Sequence, residues 1–138
     1  MPASDSDGSS VGGDLFTEPS DFYAPEKPPT YIAFRLQSGQ TLNLRLVGHN
    51  PLWGHHLWNS GRVLADYFQE NPSLVQGKHV LELGAGAGLP GLVAGVLGAK
   101  KVVITDYPDE DLIENLRENV RSAEGMINSE VMAEVSYG

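Results

Sequence analysis

The chain has no cysteine among its 138 residues, so neither a disulfide framework nor a cysteine-ligated metal is open to it. That suits a cytoplasmic protein. No apolar run approaches the roughly 20 residues a membrane helix needs. Met1 is followed by acids instead of the basic start of a secretory signal, so no membrane partner is expected. Basic residues are scarce, with nine Lys and Arg against 18 Asp and Glu and a net charge of −9. A general nucleic-acid binder needs a basic face, so that class is excluded as well. The acidity would suit a cationic partner such as a lysine-rich tail, and it serves plain solubility equally well. His55 and His56 are adjacent, point different ways on an extended chain and have no third ligand at a suitable spacing, so no metal site is expected. No nucleophile paired with a base stands out, which tells against hydrolysis and leaves no catalytic residue assigned.

Residues 1–30 carry Asp5, Asp7, Asp14, Glu18, Asp21 and Glu26 against Lys27, among many Ser, Gly and Pro. Such a segment reads as a mostly disordered acidic tail, with Phe16, Phe22 and Tyr23 as its few apolar holds. Residues 31–47 read as a β-hairpin. Ile32, Phe34 and Leu36 alternate with polar residues, as do Leu42, Leu44 and Leu46, around a Ser38-Gly39 turn. Its apolar face is expected to cover the helix that follows, with Arg35, Asn43 and Arg45 turned to water. A helix is expected over residues 60–70, capped by Asn59 or Ser60, burying Val63, Leu64, Tyr67 and Phe68, and stopped by Asn71-Pro72. Trp53 and Trp58 precede it, and Trp58 reads as either core or the wall of a binding site.

The chain is organised around residues 80–91, Val-Leu-Glu-Leu-Gly-Ala-Gly-Ala-Gly-Leu-Pro-Gly. Residues 80–83 have the apolar character of a strand in a parallel sheet. Gly84, Gly86 and Gly88 then lead into a helix marked by Leu89, Leu92, Val93, Val96 and Leu97 and closed near Gly98. Strand, glycines and helix in this order place bare backbone and unpaired N–H groups beside a ligand. A second apolar run over residues 102–105 ends at Asp106, where a carboxylate is placed to grip the two hydroxyls of a ribose. The motif is therefore that of a nucleoside-containing cofactor. Which cofactor stays open on these residues. Gly86, Gly88 and Gly91 spell the dinucleotide frame G-x-G-x-x-G, whereas the frame read from Gly84 suits S-adenosylmethionine. A helix follows with Asp109, Glu110 and Asp111 in its first turn, and Leu112, Ile113, Leu116 and Val120 as its buried stripe. A third strand is expected over residues 131–137.

With these residues in hand, the chain resembles the seven-β-strand protein methyltransferases of family 16, which include many lysine methyltransferases. The resemblance rests on an ordered set over about residues 31–120: the hairpin, His-Leu-Trp-Asn-Ser-Gly-Arg-Val-Leu-Ala, the glycine stretch, Val-Ile-Thr-Asp-Tyr-Pro and Asn-Leu-Arg-Glu-Asn-Val. Gly-His-His-Leu-Trp-Asn-Ser-Gly and Thr-Asp-Tyr-Pro-Asp are most similar to the fungal branch acting on translation elongation factor 1-alpha at its N-terminal glycine and adjacent lysine. The resemblance implies an α/β, Rossmann-like fold, S-adenosyl-L-methionine as cofactor and a protein substrate, with elongation factor 1-alpha as the expected partner. It implies that Trp58 lies against the cofactor, that Gly84, Ala85 and Gly86 pass beneath its methionine part and that Asp106 takes its ribose. It also suggests that Glu82 helps hold the methionine end through water, with a purely structural role for this strand carboxylate as the equal alternative. Asn119 matches a recurrent helix residue with no assigned catalytic role.

The family has further strands after the third, so residues 31–138 read as the N-terminal portion of such a domain, with the cofactor-binding half over 58–138. The isolated chain is expected to bind cofactor weakly and not to catalyse. Two other readings compete: an NAD(P)-dependent oxidoreductase, and a non-catalytic binding module of methyltransferase fold.

Overall fold

The computed structural model describes residues 27–48 and 56–135. Most of the acidic tail, Phe16, Phe22, Tyr23, Trp53, His55 and the last residues of the expected third strand lie outside the described residues.

The hairpin forms from Thr30–Arg35 (β1) and Thr41–Leu46 (β2), antiparallel, with Ile32 opposite Leu44 and Phe34 opposite Leu42. Alternation puts Phe34, Leu36, Leu42, Leu44 and Leu46 on one buried face. The turn closes through Leu36 N–H to the Gln40 carbonyl (2.8 Å), with Gly39 at φ +91°, a conformation L side chains avoid. The seat of this hairpin differs from expectation. It touches the following helix through Gln37 N–H and Gln69 Oε1 at 2.8 Å, but β2 lies alongside the later helix Glu110–Ala123. Arg45, expected in water, is half-buried there.

Helix α1 spans Asn59–Glu70. Trp58, not Asn59 or Ser60, is the N-cap; no side chain caps it, and its carbonyl accepts from Gly61 N–H at 3.1 Å. The chain leaves the helix at Asn71, and Pro72 begins a short 3-10 turn, Pro72–Leu74. The expected buried face is corrected too. Ala65 is the residue of α1 that is buried, whereas Val63 is 67% and Tyr67 51% exposed. The reason is a small-residue contact: Gly61 and Ala65, one turn apart, let α1 approach the next helix, and a Cβ at Gly61 would meet the Pro90 ring at 3.8 Å. Phe68 follows on the same side, half-buried.

Two strand–helix–strand units then build the sheet: His79–Glu82 (β3), Leu89–Val96 (α2), Lys101–Asp106 (β4), Glu110–Ala123 (α3) and Glu130–Val135 (β5). The strands are parallel in the order β3-β4-β5, with Glu82 level with Ile104 and Ile104 with Ala133. Both helices cover the face that carries Val102 and Ile104, each 0% exposed. Close approach explains it: a Cβ at Gly88 would touch Leu116 and Ile104, and one at Gly95 would touch Val131. Leu81 points to the opposite face and is 63% exposed. Asp109 caps α3, its Oδ1 accepting from Leu112 N–H at 3.1 Å. Outward, Arg121 pairs with Glu114 at 2.9 Å and Glu118 at 2.7 Å. The buried side of α3 holds Leu112, Ile113 and Leu116 as expected, and also Asn115 and Asn119, 0% and 1% exposed. The result is the α/β, Rossmann-like arrangement read from the sequence, its three parallel strands preceded by the hairpin.

Candidate cofactor site

The loop between β3 and α2 is shaped by its glycines. Gly84, Gly86 and Gly88 have φ of +61°, +57° and +78°, a left-handed conformation at every second residue. An L side chain would cost about 1–2 kcal/mol at each such position. A Cβ at Gly84 or Gly86 would meet nothing within 4 Å, so the demand there is on backbone conformation and on leaving the surface bare. Gly91 answers a different need. A Cβ there would lie 2.6 Å from Glu82 Oε2 and 2.7 Å from Ile104 Cγ1, so glycine lets the first turn of α2 settle onto the sheet. Each glycine of both overlapping motif frames thus has a physical task in this turn.

Two carboxylates hold the loop in place. Glu82, at the end of β3, accepts from Gly91 N–H at 2.7 Å through Oε2. Its pKa is pushed up from 4.5 to about 7, chiefly by burial, with the Asp106 charge adding to the rise and the Gly91 hydrogen bond opposing it. Asp106, at the end of β4, accepts from Gly86 N–H through Oδ2 at 2.7 Å and from Tyr107 N–H through Oδ1 at 2.6 Å. Thr105 completes the link: its hydroxyl donates to the Glu82 carbonyl at 2.7 Å, and its own carbonyl accepts from Ala85 N–H at 3.0 Å. The glycine loop is therefore tied to β4 by backbone and by side chain.

Above the loop lies a cavity of about 340 Å³ walled by the start of α1, the end of β3 and the first turn of α2. That is within the range of small-molecule sites. Trp58, Glu82, Gly84, Ala85 and Gly86 line it together. Asp106 does not line it; it reaches the site by holding the Gly86 amide, and each of its oxygens retains acceptor capacity for a further donor. Trp58 belongs to the wall and not to the core: it is 56% exposed and meets His56 edge-on, with ring centroids 5.8 Å apart. His56, Leu57, Phe68 and Pro90 also line the cavity, and none of them is among the cofactor residues expected from sequence. The signal available for the first two was their place in the His-Leu-Trp-Asn-Ser-Gly run. For Phe68 it was the small-residue face of α1. Among the described residues no group of three or more His, Asp or Glu is placed to hold a metal.

An aromatic wall, a bare glycine backbone and a carboxylate at the end of the neighbouring parallel strand come together in a Rossmann-like arrangement, the pattern expected of a nucleoside-cofactor site. A solved T. thermophilus 16S rRNA methyltransferase in complex with AdoMet and guanosine shares this fold, with a TM-score of 0.57 over 75% of this chain and 27% of that one at 22% identity. Residues 37–136 match the model of methyltransferase family 16, described as lysine methyltransferase, and the chain belongs to that family. It is 48% identical over 116 residues to the protein N-terminal and lysine N-methyltransferase efm7 of Emericella nidulans, covering 83% of this chain and 45% of that protein. It is 55% identical over 108 residues to its counterpart in Gibberella zeae, covering 78% and 41%. The chain thus spans less than half the length of these curated relatives. The family resemblance read from the ordered motifs is borne out.

Proposed function

We propose that the full-length protein is an S-adenosyl-L-methionine-dependent protein N-terminal and lysine N-methyltransferase. The observation that carries this reading is the identity of about half the residues to enzymes of that name, over the segment that builds the cavity, the glycine loop and Asp106. Elongation factor 1-alpha is the proposed substrate, through the likeness of the Trp58 and Asp106 motifs to the branch that modifies it. The cytoplasm is the proposed setting. The net charge of −9 suits approach to a basic protein segment.

In this reading Gly84, Ala85 and Gly86 offer bare backbone to the methionine part of the cofactor, and Asp106 offers its remaining lone pairs to the ribose hydroxyls. Trp58 walls the cavity. Glu82 shapes the methionine end by fixing Gly91, and its raised pKa lets it carry a proton near neutrality. When bound, S-adenosylmethionine supplies a methyl group already activated on a sulfonium sulfur. The acceptor amine would have to arrive deprotonated, with its nitrogen lone pair free to accept that methyl group. The chain's contribution is positioning and the exclusion of water more than strong base catalysis.

The test is calorimetric titration of the full-length protein with S-adenosylhomocysteine and, separately, NADH, followed by incubation with S-adenosylmethionine and recombinant elongation factor 1-alpha. Expected are binding of S-adenosylhomocysteine but not of NADH, and mass increments of about 14 Da on the N-terminal peptide, as one methyl replaces one hydrogen. Binding of NADH with no response to S-adenosylhomocysteine would support the oxidoreductase instead. Cofactor binding without methylation of any protein amine would support a non-catalytic module.

A further inference from the structure

Among the described residues, a closed polar cluster lies outside the cavity, on the buried side of α3. Asn119 is 1% exposed and uses every group it has. Its Nδ2 donates to the carbonyl of Arg45 at 2.9 Å and to the carbonyl of Ala87 at 3.0 Å, and its Oδ1 accepts from Arg45 N–H at 2.7 Å. Arg45 is on β2, and Ala87 stands between Gly86 and Gly88 in the glycine loop. Arg45 lies opposite Tyr31 in the ladder, with its own N–H and carbonyl turned outward from the hairpin. One side chain therefore joins the free edge of the hairpin, helix α3 and the turn beneath the cavity. Asn115, one turn earlier, makes only part of this set. Its Nδ2 donates to the Arg45 carbonyl at 2.7 Å and its Oδ1 accepts from Arg45 Nη1 at 3.2 Å. Among the described residues no hydrogen bond joins it to the loop.

We infer that Asn119 is a positioning residue of the cofactor site, setting the glycine loop through the Ala87 carbonyl and coupling the loop to the seating of the hairpin. The inference rests on the reading of that loop as the S-adenosylmethionine cradle. Its physical basis is the cost of an orphaned carbonyl. Ala87 is 2% exposed, so water cannot replace the lost donor cheaply, and the loop must shift to find another partner. The alternating left-handed glycines that flank Ala87 leave this backbone free to move once released. Asparagine is also a weak helix former, so a buried pair in α3 needs a reason beyond propensity. Asn115 supplies the internal control, because it anchors the hairpin and leaves the loop untouched.

The experiment compares Asn119→Ala and Asn115→Ala in the full-length protein, at a temperature where both retain native near-ultraviolet circular dichroism. Asn119→Ala is expected to weaken S-adenosylhomocysteine by at least about tenfold, the equivalent of one buried hydrogen-bond group left unpaired. It should also speed amide exchange at Gly86 and Gly88. Asn115→Ala is expected to keep affinity and loop exchange within about threefold of wild type, even with a similar loss of melting temperature. Equal effects of the two variants on affinity and loop exchange would overturn the inference, and so would wild-type behaviour of a folded Asn119→Ala. If Asn119→Ala does not fold, the wild-type protein decides. Saturating S-adenosylhomocysteine should slow exchange of the Arg45 amide along with that of the loop, and protection confined to the loop would overturn the coupling. A wild-type protein that binds no S-adenosylhomocysteine would refute the cofactor reading instead, while loop exchange in the two unliganded variants would still decide the role of Asn119.

Discussion

Glu82 offers a prediction whose sign and size both follow from its surroundings. Its carboxylate sits at the end of β3, accepts from Gly91 N–H at 2.7 Å and feels the Asp106 charge, and burial dominates by raising its pKa from 4.5 to about 7. Between those two values the folded protein holds a proton that the unfolded chain has released. Stability must therefore fall as pH rises through that window, and the loss is complete once the pH passes the folded value. At about 1.4 kcal/mol per pKa unit, the cost accumulated is about 3 kcal/mol. Glu82→Gln removes the titration but keeps an amide oxygen that can accept from Gly91. The variant should match wild type near pH 4.5 and become the more stable of the two by up to about 3 kcal/mol at pH 8.

Urea unfolding of both full-length proteins, without cofactor, at half-unit steps from pH 4.5 to 8 measures this difference. Titrating groups that do not interact with Glu82 cancel, because they are common to the two proteins. A difference that stays flat across the window would show that Glu82 is solvated or paired in a way that keeps its ordinary pKa, and the reasoning would fail. A deficit of Glu82→Gln at every pH would show that the charged acceptor holds Gly91 more strongly than burial opposes it.

Asp106→Ala removes the partner of two amides, Gly86 and Tyr107, and should lower stability by about 2–4 kcal/mol while reducing S-adenosylhomocysteine affinity beyond calorimetric detection; retained affinity would exclude Asp106 from the site. Trp58→Ala, at a 56% exposed position, should leave the unfolding midpoint nearly unchanged yet weaken S-adenosylhomocysteine several-fold, and a large stability loss with intact binding would return this tryptophan to the core. Gly91→Ala should destabilise by about 1–3 kcal/mol through overpacking against Glu82 and Ile104. Gly84→Ala should cost about 1–2 kcal/mol through its left-handed φ alone. Chemical denaturation measures both, and a neutral Gly91→Ala would mean that α2 can lift from the sheet without penalty.

Much of this architecture was legible because apolar periodicity carries it. The alternation of Ile32, Phe34, Leu42 and Leu44 marked the hairpin, and the runs ending at Leu83 and Asp106 marked parallel strands to within a residue or two. The glycines, with Pro90 inside the first turn of α2, marked the bend between them. Five of the six residues proposed for the cofactor line one cavity, and the sixth holds the loop beneath it. What periodicity could not show is which partner a face meets. In α1 the larger apolar side chains pointed to one buried face, but two small residues one turn apart, Gly61 and Ala65, face inward, with Gly61 against the Pro90 ring of α2. Side-chain size set the geometry there, and hydrophobicity alone misread it.

The hairpin shows a second limit, and it has a functional consequence. A strand edge exposes backbone donors and acceptors whatever its sequence, so its docking site is found by whatever side chains can satisfy those groups. Here the side chains are Asn115 and Asn119, one turn apart on α3, and both make hydrogen bonds to Arg45. In a helical pattern such a pair reads as part of the solvent face, because asparagine is polar and a poor helix former. Burying it is tolerable only if every polar atom finds a partner, and among the described residues no buried side-chain polar atom is left without one. That full satisfaction carries the hairpin's position to Ala87 and hence to the cofactor loop. A segment that lines none of the cavity thereby gains a hold on its floor, and the hairpin is more than a cover for the core.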